Sequence, residues 1–128
     1  MTVRPATHRT ANVARWACRI LGVLFVATSP IAVFSGDTAS RWHTLLHFVT
    51  GLVALYAGFR GGAKLFCLVF GAGYLTFGAL GLALGDPAAD RGWHVGPLHL
   101  MTGDHLFHAV LGTVVLAAGI VTRSRRTA

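Results

Sequence analysis

Charged residues are scarce in this chain: they make up only 12% of its 128 residues, and a single one of them is lysine. A water-soluble domain typically carries about 25% charged residues. Hydrophobic residues reach 54%, the mean hydropathy is +0.62, and 16 residues are glycine, which is common in membrane helices because it lets backbones approach closely. The composition excludes an ordinary soluble domain and predicts a single integral membrane domain over residues 1–128.

Cysteine is almost lacking, and so are the motifs of common enzyme classes. Cys18 and Cys67 form no CxxC pair, so we expect packed thiols near the cytoplasmic ends of their helices rather than a disulfide framework. The chain has no phosphate-binding glycine loop, no GxSxG, no HEXXH and no dinucleotide fingerprint. The sequence therefore indicates no catalytic residue, and an enzyme is the less favoured interpretation.

Four long stretches without charge are what the chain contains instead. Seventeen residues separate Arg19 from Asp37, and the three later stretches hold 18, 21 and 18 residues. A helix needs about 20 residues to cross a ~30 Å hydrocarbon core, with ~17 as the short limit. We therefore predict an all-α fold, a four-helix transmembrane bundle, in which Pro30 bends the first helix or ends it early. The helices are expected near residues 15–34, 42–60, 64–85 and 104–122.

Basic residues are distributed unevenly around these stretches. Nine of the eleven lie before the first helix, in the turn between the second and third, or after the fourth, and all four acids lie elsewhere. With an even number of helices these three regions share one side, which the positive-inside rule makes cytoplasmic. We expect a multi-pass protein of the plasma (cytoplasmic) membrane whose tails, residues 1–14 and 123–128, are both cytoplasmic.

Two other interpretations of the basic residues are disfavoured. The formal charge of +7 comes from residues that flank the spans and form no groove with interleaved aromatics, so they indicate contact with anionic lipid rather than nucleic acid. The basic N-terminus followed by "ILGVLFVA" also resembles a secretory signal, but the four-helix pattern argues against its cleavage.

The second and fourth helices carry similar sequences, "HFVTGLVALYAG" and "HAVLGTVVLAAG". A constant separation of 61 residues aligns His47 with His108 and His43 with Asp104. Residues four and seven positions apart lie on one helix face. We interpret the pattern as an internal repeat, a duplicated helical hairpin, although the first and third helices resemble each other only weakly. The paired histidines are then expected at matching depth near the outer boundary.

Glycines recur at helical spacing along three of the helices. Because apolar side chains gain little by leaving lipid, rows of small residues mark close helix contact in membranes. Such faces permit, without requiring, a homo-oligomer or a membrane-protein partner. The glycines expected to pack against a neighbouring helix are Gly51, Gly58, Gly71, Gly78, Gly112 and Gly119.

The segments "GDHLFHAVLGTVVLAAG" and "LLHFVTGLVALYAG", with a third helix rich in Gly and Tyr, resemble a family of small four-helix bacterial membrane proteins, domain of unknown function 4383. Its members often show a stretch with Asn or Asp before "LH" and a Gly four residues after the His. The matching residues are Asp104, His108, Gly112, His47 and Gly51, whereas His43 departs from the pattern. The resemblance covers roughly residues 15–122; it implies a four-helix fold and no known activity or cofactor.

Ionisable residues at the outer ends of the second and fourth helices form the candidate site. His43 and His47 make an HxxxH pair, and Asp104 and His108 repeat its spacing on the other helix. Three imidazoles and a carboxylate can bind zinc or another divalent ion. Alternatively, His47 and His108 ligate a haem from both sides.

A structural role for the same residues is the competing interpretation. Asp104 is then the cap of the fourth helix, and His47 and His108 hydrogen-bond to each other or to the outer loops. From the sequence, a structural or partner-binding membrane protein is favoured, with metal or haem binding as the alternative. The long loop "DPAADRGWHVGPLHLMTGD" is expected to cover this region, with turns at Asp86-Pro87 and Gly96-Pro97.

Overall fold

Four helices of membrane-spanning length make up most of the protein, of which this computed structural model describes residues 12–35 and 38–123. Each of the four is long and apolar enough to cross a bilayer, so the predicted four-helix bundle is confirmed. Their ends differ from the predicted ones by no more than four residues. The helices are α1 (Val13–Ser35), α2 (Thr38–Arg60), α3 (Ala63–Leu84) and α4 (Thr102–Val121).

Large apolar side chains cover the outside of the bundle. Leu24 on α1, Tyr56 on α2, Val69 on α3 and Val110 on α4 are all more than half exposed. Since such surfaces are stable only against hydrocarbon, these faces contact lipid and the protein is a multi-pass membrane protein. Most of both predicted tails lies outside the described residues.

The first helix continues past Pro30 and ends at Ser35, so its expected early end is not found. Proline lacks an N–H and removes one backbone hydrogen bond from a helix. Just before it, the Ser29 hydroxyl donates to the Phe25 carbonyl, and the Thr28 hydroxyl donates to the Leu24 carbonyl at 2.7 Å. Hydroxyl groups that bond helix carbonyls help a membrane helix to tolerate proline.

The helices pair in chain order, α1 with α2 and α3 with α4, and glycine permits their close approach. A Cβ built on Gly112 would lie 2.8 Å from the Gly71 carbonyl oxygen, and one built on Gly51 would lie 3.1 Å from the Gly22 carbonyl oxygen. These distances leave no room for a side chain. The glycines that face a neighbouring helix in this way include Gly51, Gly58, Gly71, Gly78, Gly112 and Gly119.

The two helix pairs meet mainly through α1, which contacts both α3 and α4. Cys18 and Cys67 are fully buried at this contact as free thiols, with their Sγ atoms 3.6 Å apart. Near the chain ends, the Ala14 N–H donates to Thr122 Oγ1 at 2.9 Å. The start of α1 and the end of α4 therefore lie at the same end of the bundle, called here the basic end.

Contacts in the first helix pair recur in the second at another constant separation. Gly22 faces Gly51 in the first helix pair, and Gly71 faces Gly112 in the second. Gly22 and Gly71 are 49 positions apart, whereas Gly51 and Gly112 are 61 positions apart. Cys18 and Cys67 are also 49 positions apart, and each thiol lies 3.7 Å from a carbonyl of the other helix pair. The accepting residues, Ala63 and Ala14, keep that separation too. The two pairs thus pack with an approximate two-fold relation.

The loop between α3 and α4 contains more structure than the covering loop expected from its sequence. After a short 3-10 helix, Pro87–Ala89, strands β1 (Trp93–Val95) and β2 (Leu98–Leu100) form an antiparallel β-hairpin. Its turn is Gly96-Pro97, as predicted, and Gly96 has the left-handed φ of 56° that favours glycine. Strand β2 packs against α2 and covers the end of the bundle opposite the basic end.

Candidate functional site

Three histidines lie together at the end of the bundle that the β-hairpin covers. His43 and His47 are one turn apart on α2, whereas His108 lies on α4, in the other helix pair. Nitrogens from the three rings, one from each, all lie within 4.8 Å of one another. The ring centroids are 4.4 Å apart for His43 and His47 and 5.9 Å apart for His47 and His108. These residues form the histidine cluster.

The histidine cluster contains polar atoms without partners. Each of the three rings has one buried nitrogen that forms no hydrogen bond with the described part of the chain. These nitrogens are His43 Nε2, His47 Nε2 and His108 Nδ1. A buried polar group left unpaired costs about 1–3 kcal/mol. Neutral imidazole nitrogens are among the commonest metal ligands in proteins. Three such nitrogens from two helix pairs are therefore a candidate set of metal ligands.

Asp104 lies beside the cluster in the first turn of α4. Its Oδ2 accepts a hydrogen bond from the Met101 N–H at 2.9 Å. The N-cap is therefore Met101 rather than Asp104, and Asp104 supports the start of the helix from its third position. Its Oδ1 lies 3.9 Å from His43 Nδ1. A carboxylate on one ring nitrogen orients the other nitrogen of that ring, an arrangement common around metal-bound histidine. At 3.9 Å the contact is electrostatic rather than a hydrogen bond, so Asp104 places a carboxylate beside His43 at the edge of the cluster.

Aromatic rings hold the imidazoles in place. Phe25 of α1 stacks on His47 with ring centroids 4.5 Å apart and an angle of 14° between the planes. Tyr74 of α3 meets His108 edge-on at 4.6 Å. Phe25 and Tyr74 are 49 positions apart, so they occupy matching places in the two helix pairs. The walls of the site thus come from all four helices.

A cavity of about 360 Å³ adjoins the histidine cluster. All three histidines line it, together with residues of α2, α3 and the β-hairpin. Leu46 and Thr50 form its α2 wall, and Leu98 and Leu100 of β2 form its cover. No Asp, Glu, Lys or Arg of the described chain lines this cavity, so its wall is mostly apolar, with polar groups only on the three histidines, Thr50 and Tyr74.

The distances suit a small metal ion. Zinc binds imidazole nitrogen at about 2.0–2.1 Å, which places the nitrogens of a tetrahedral site about 3.3 Å apart. The cluster nitrogens lie within 4.8 Å of one another, so a shift of about 1 Å by each ring completes the geometry. Three protein ligands leave one position of a tetrahedral ion open.

The crowding of rings around the cluster does not suit haem. A haem held by His47 and His108 must fit its planar macrocycle between the two rings. His43 instead contacts both of them, at centroid distances of 4.4 and 5.6 Å, and Phe25 and Tyr74 pack against their faces and edges. The macrocycle would have to displace these rings.

The remaining histidines near the site lie apart from the cluster. His105 is fully buried against Gly81, and its Nε2 donates to the Arg91 carbonyl at 2.9 Å. His94 and His99 are exposed on the outer face of the β-hairpin and stack on each other at 4.3 Å. None of the three shares the cavity with the cluster.

Sequence reasoning missed the aromatic and hairpin residues of the site. Phe25, Tyr74 and Leu100 carry no chemical signature, because such residues fill ordinary membrane helices and loops. The 49-residue separation that relates Phe25 to Tyr74 was the available signal, and it becomes visible only after Cys18 is aligned with Cys67.

A comparison with protein-family models matches residues 32–121 to a family described as a domain of unknown function (DUF4383). The matched segment covers α2, α3, α4 and the β-hairpin, and so includes every member of the histidine cluster. Comparisons with curated proteins and with solved structures found no match.

Proposed function

This chain belongs to the DUF4383 family, whose function is unknown, and we propose that it binds one divalent transition-metal ion within the membrane bundle. The ligands are His43 Nε2, His47 Nε2 and His108 Nδ1. Asp104 positions His43 and supplies a compensating negative charge close to the ion. One observation carries the proposal: ring nitrogens of three histidines, one nitrogen from each and from two helix pairs, lie within 4.8 Å of one another.

The donor set selects the class of ion. Imidazole nitrogen suits Zn²⁺, Cu²⁺, Co²⁺ and Ni²⁺, whereas Ca²⁺ and Mg²⁺ prefer oxygen ligands. With three nitrogens and a nearby carboxylate, the site favours Zn²⁺ among the ions that keep tetrahedral geometry. Co²⁺ takes the same geometry and is coloured, so it serves as a reporter.

The ion also provides the structural role that the sequence suggested for these residues. His43 and His47 belong to the first helix pair and His108 to the second, so a bound ion ties the two pairs together. At the basic end, buried contacts such as the one between the Ala14 N–H and Thr122 already link the pairs. Metal binding supplies the corresponding link at the opposite end.

Charge supports an orientation in the plasma membrane. Arg15, Lys64 and Arg123 line one cavity at the basic end, where both termini of the described chain lie. The positive-inside rule then makes this end cytoplasmic and places the histidine cluster near the external surface. The protein takes its ion from the external side.

The two-fold relation between the helix pairs supports a duplicated helical hairpin. The ring contact between Phe25 and His47 has a counterpart between Tyr74 and His108. Phe25 and Tyr74 are 49 positions apart and the two histidines are 61 apart, so the separations found from other residues also relate these contacts. We infer that a shared ancestor of the two pairs had a histidine at the position of His47 and His108.

Metal binding is tested on protein purified in mild detergent, stripped with chelator and titrated with Co²⁺ or Zn²⁺. We expect one ion per chain and the visible bands of tetrahedral Co²⁺. The variants His47→Ala and His108→Ala should lose most of the binding, whereas His94→Ala, an exposed histidine outside the cluster, should keep it. Binding that is absent, or that depends equally on His94, would refute the proposal.

Orientation is tested by cysteine labelling in intact cells. The native thiols of Cys18 and Cys67 are fully buried, so they give little background and cannot themselves report the side. Pro97→Cys in the exposed β-hairpin turn should react with an impermeant maleimide, and Arg123→Cys should react only after the cells are opened. The reverse pattern would contradict the orientation.

A further inference from the structure

The three histidines that would hold the proposed ion also line a cavity. Three imidazoles supply three of four tetrahedral positions, and the nearest carboxylate is already engaged in capping α4. The same three histidines line the 360 Å³ cavity. Ligand pockets of about 300–1,000 Å³ hold small organic molecules. We propose that this cavity binds a small apolar molecule that places one nitrogen or sulfur donor on the metal ion.

The chemistry of the cavity wall defines this class of ligand. Most of the wall is hydrocarbon from Leu46, Phe77, Val95, Leu98 and Leu100, and the hydroxyl-bearing Thr50 and Tyr74 lie beside the imidazoles. An apolar body gains about 25 cal/mol for each Å² that it buries there. A charged body would lose its hydration without a charged partner in the wall. The ligand therefore combines an apolar body with a single donor, such as an azole nitrogen or a thiolate, directed at the ion.

The route to the cavity runs between α2 and α3. These two helices make few contacts with each other, whereas each packs closely against its partner in its own helix pair. Gly73 stands on the α3 side of the opening, is exposed, and has nothing within 4 Å of the place where a Cβ would lie. Leu46 stands opposite and is half exposed. A molecule dissolved in the bilayer can enter sideways through this gap.

Gly73 also offers a way to close the cavity without touching the metal ligands. A leucine at this position projects into space that the structure leaves open, so it narrows the cavity without overlapping a neighbour at its Cβ. It lies one turn or less from Tyr74 and Phe77 on α3 but on a different helix from any proposed ligand. Gly73→Leu therefore separates ligand entry from metal binding.

The experiment uses the full chain loaded with Co²⁺, and it rests on the proposed function for that loading. The probe is 1-phenylimidazole, which has a donor nitrogen and an apolar ring. Its control is 1-phenylpyrrole, which has the same shape and no donor lone pair. We expect 1-phenylimidazole to shift the visible Co²⁺ bands and to bind roughly tenfold or more tightly than imidazole, because the phenyl ring buries apolar area. We expect 1-phenylpyrrole to leave the bands unchanged.

Gly73→Leu should bind 1-phenylimidazole no more tightly than imidazole. Its affinity for Co²⁺ should stay within about twofold of the unmodified protein, since no metal-binding histidine is altered. Failure to bind Co²⁺ overturns the proposed function. Co²⁺ binding without any shift on adding 1-phenylimidazole overturns only this inference. Equal affinities for imidazole and 1-phenylimidazole, or an unchanged preference in Gly73→Leu, also overturn it, because the apolar body would then lie outside the cavity.

Discussion

The contact between α3 and α4 predicts opposite effects for two alanine substitutions only two residues apart. In Gly71→Ala the new Cβ would lie 2.7 Å from Leu116 Cα and 2.8 Å from Leu116 Cβ. Ordinary carbon contacts are about 3.5–4.0 Å, so α4 must withdraw by about 1 Å. In Gly73→Ala the new methyl meets nothing within 4 Å. The two variants therefore share the same chemical change and differ only in the space around it.

The magnitude follows from two opposing terms. Replacing glycine by alanine inside a helix stabilises it by roughly 0.5–1 kcal/mol, and this gain applies to both variants. Overpacking a well-filled interface costs about 1–3 kcal/mol and applies only to Gly71→Ala. The propensity gain cancels in the comparison, so Gly71→Ala should be less stable than Gly73→Ala by about 1–3 kcal/mol.

Thermal unfolding in one detergent, followed by intrinsic tryptophan fluorescence, measures this difference. For a chain of this size it corresponds to a Tm lower by roughly 4–12 °C in Gly71→Ala. Gly73→Ala should melt at or slightly above the unmodified protein. If the two variants melt within about 1 °C of each other, the close approach of α3 and α4 described above is wrong.

Three further outcomes are expected. Zinc at 100 times its Kd should stabilise the protein by about 2.7 kcal/mol, and His108→Ala should abolish the stabilisation measured in the same melting assay; an equal rise in the variant would contradict a link between helix pairs. Asp104→Asn should weaken Co²⁺ binding by about 10–100-fold in chelator competition, since it removes the group that orients His43; unchanged affinity would count against that role. Gly51→Leu and Gly112→Leu should both lower the Tm, because backbone or near-backbone atoms occupy the space around each glycine; two unaffected melting curves would contradict the packing described for both helix pairs.

The sequence predicts the helices well because a bilayer imposes a simple rule on length and charge. The spans between Lys64 and Asp86 or between Asp104 and Arg123 are read directly from the spacing of charged residues. Pro30 was harder, since a proline inside a helix removes a single backbone hydrogen bond and α1 continues past it to Ser35.

The candidate site was only partly predictable. His47 and His108 repeat at a fixed separation, so the sequence could place them at one depth, and the structure brings their rings to 5.9 Å. Whether their nitrogens have partners depends on side-chain orientation, which no spacing encodes. The β-hairpin was missed because strands of three residues, such as Leu98–Leu100, carry too short an alternation to stand out from a loop.

The two-fold relation does not hold for His43 and Asp104, and this difference sets the charge of the site. The 61-residue separation that equates His47 with His108 equates His43 with Asp104, a neutral ring with an anion. A dication held there retains one net positive charge, off centre and away from the carboxylate. A chain with histidine at both positions would leave both positive charges of the ion without a nearby anion in a medium of low permittivity. If the proposed ion binds, the Asp104 carboxylate would halve the charge that an incoming donor must neutralise, and a donor with a single negative charge would complete the neutralisation.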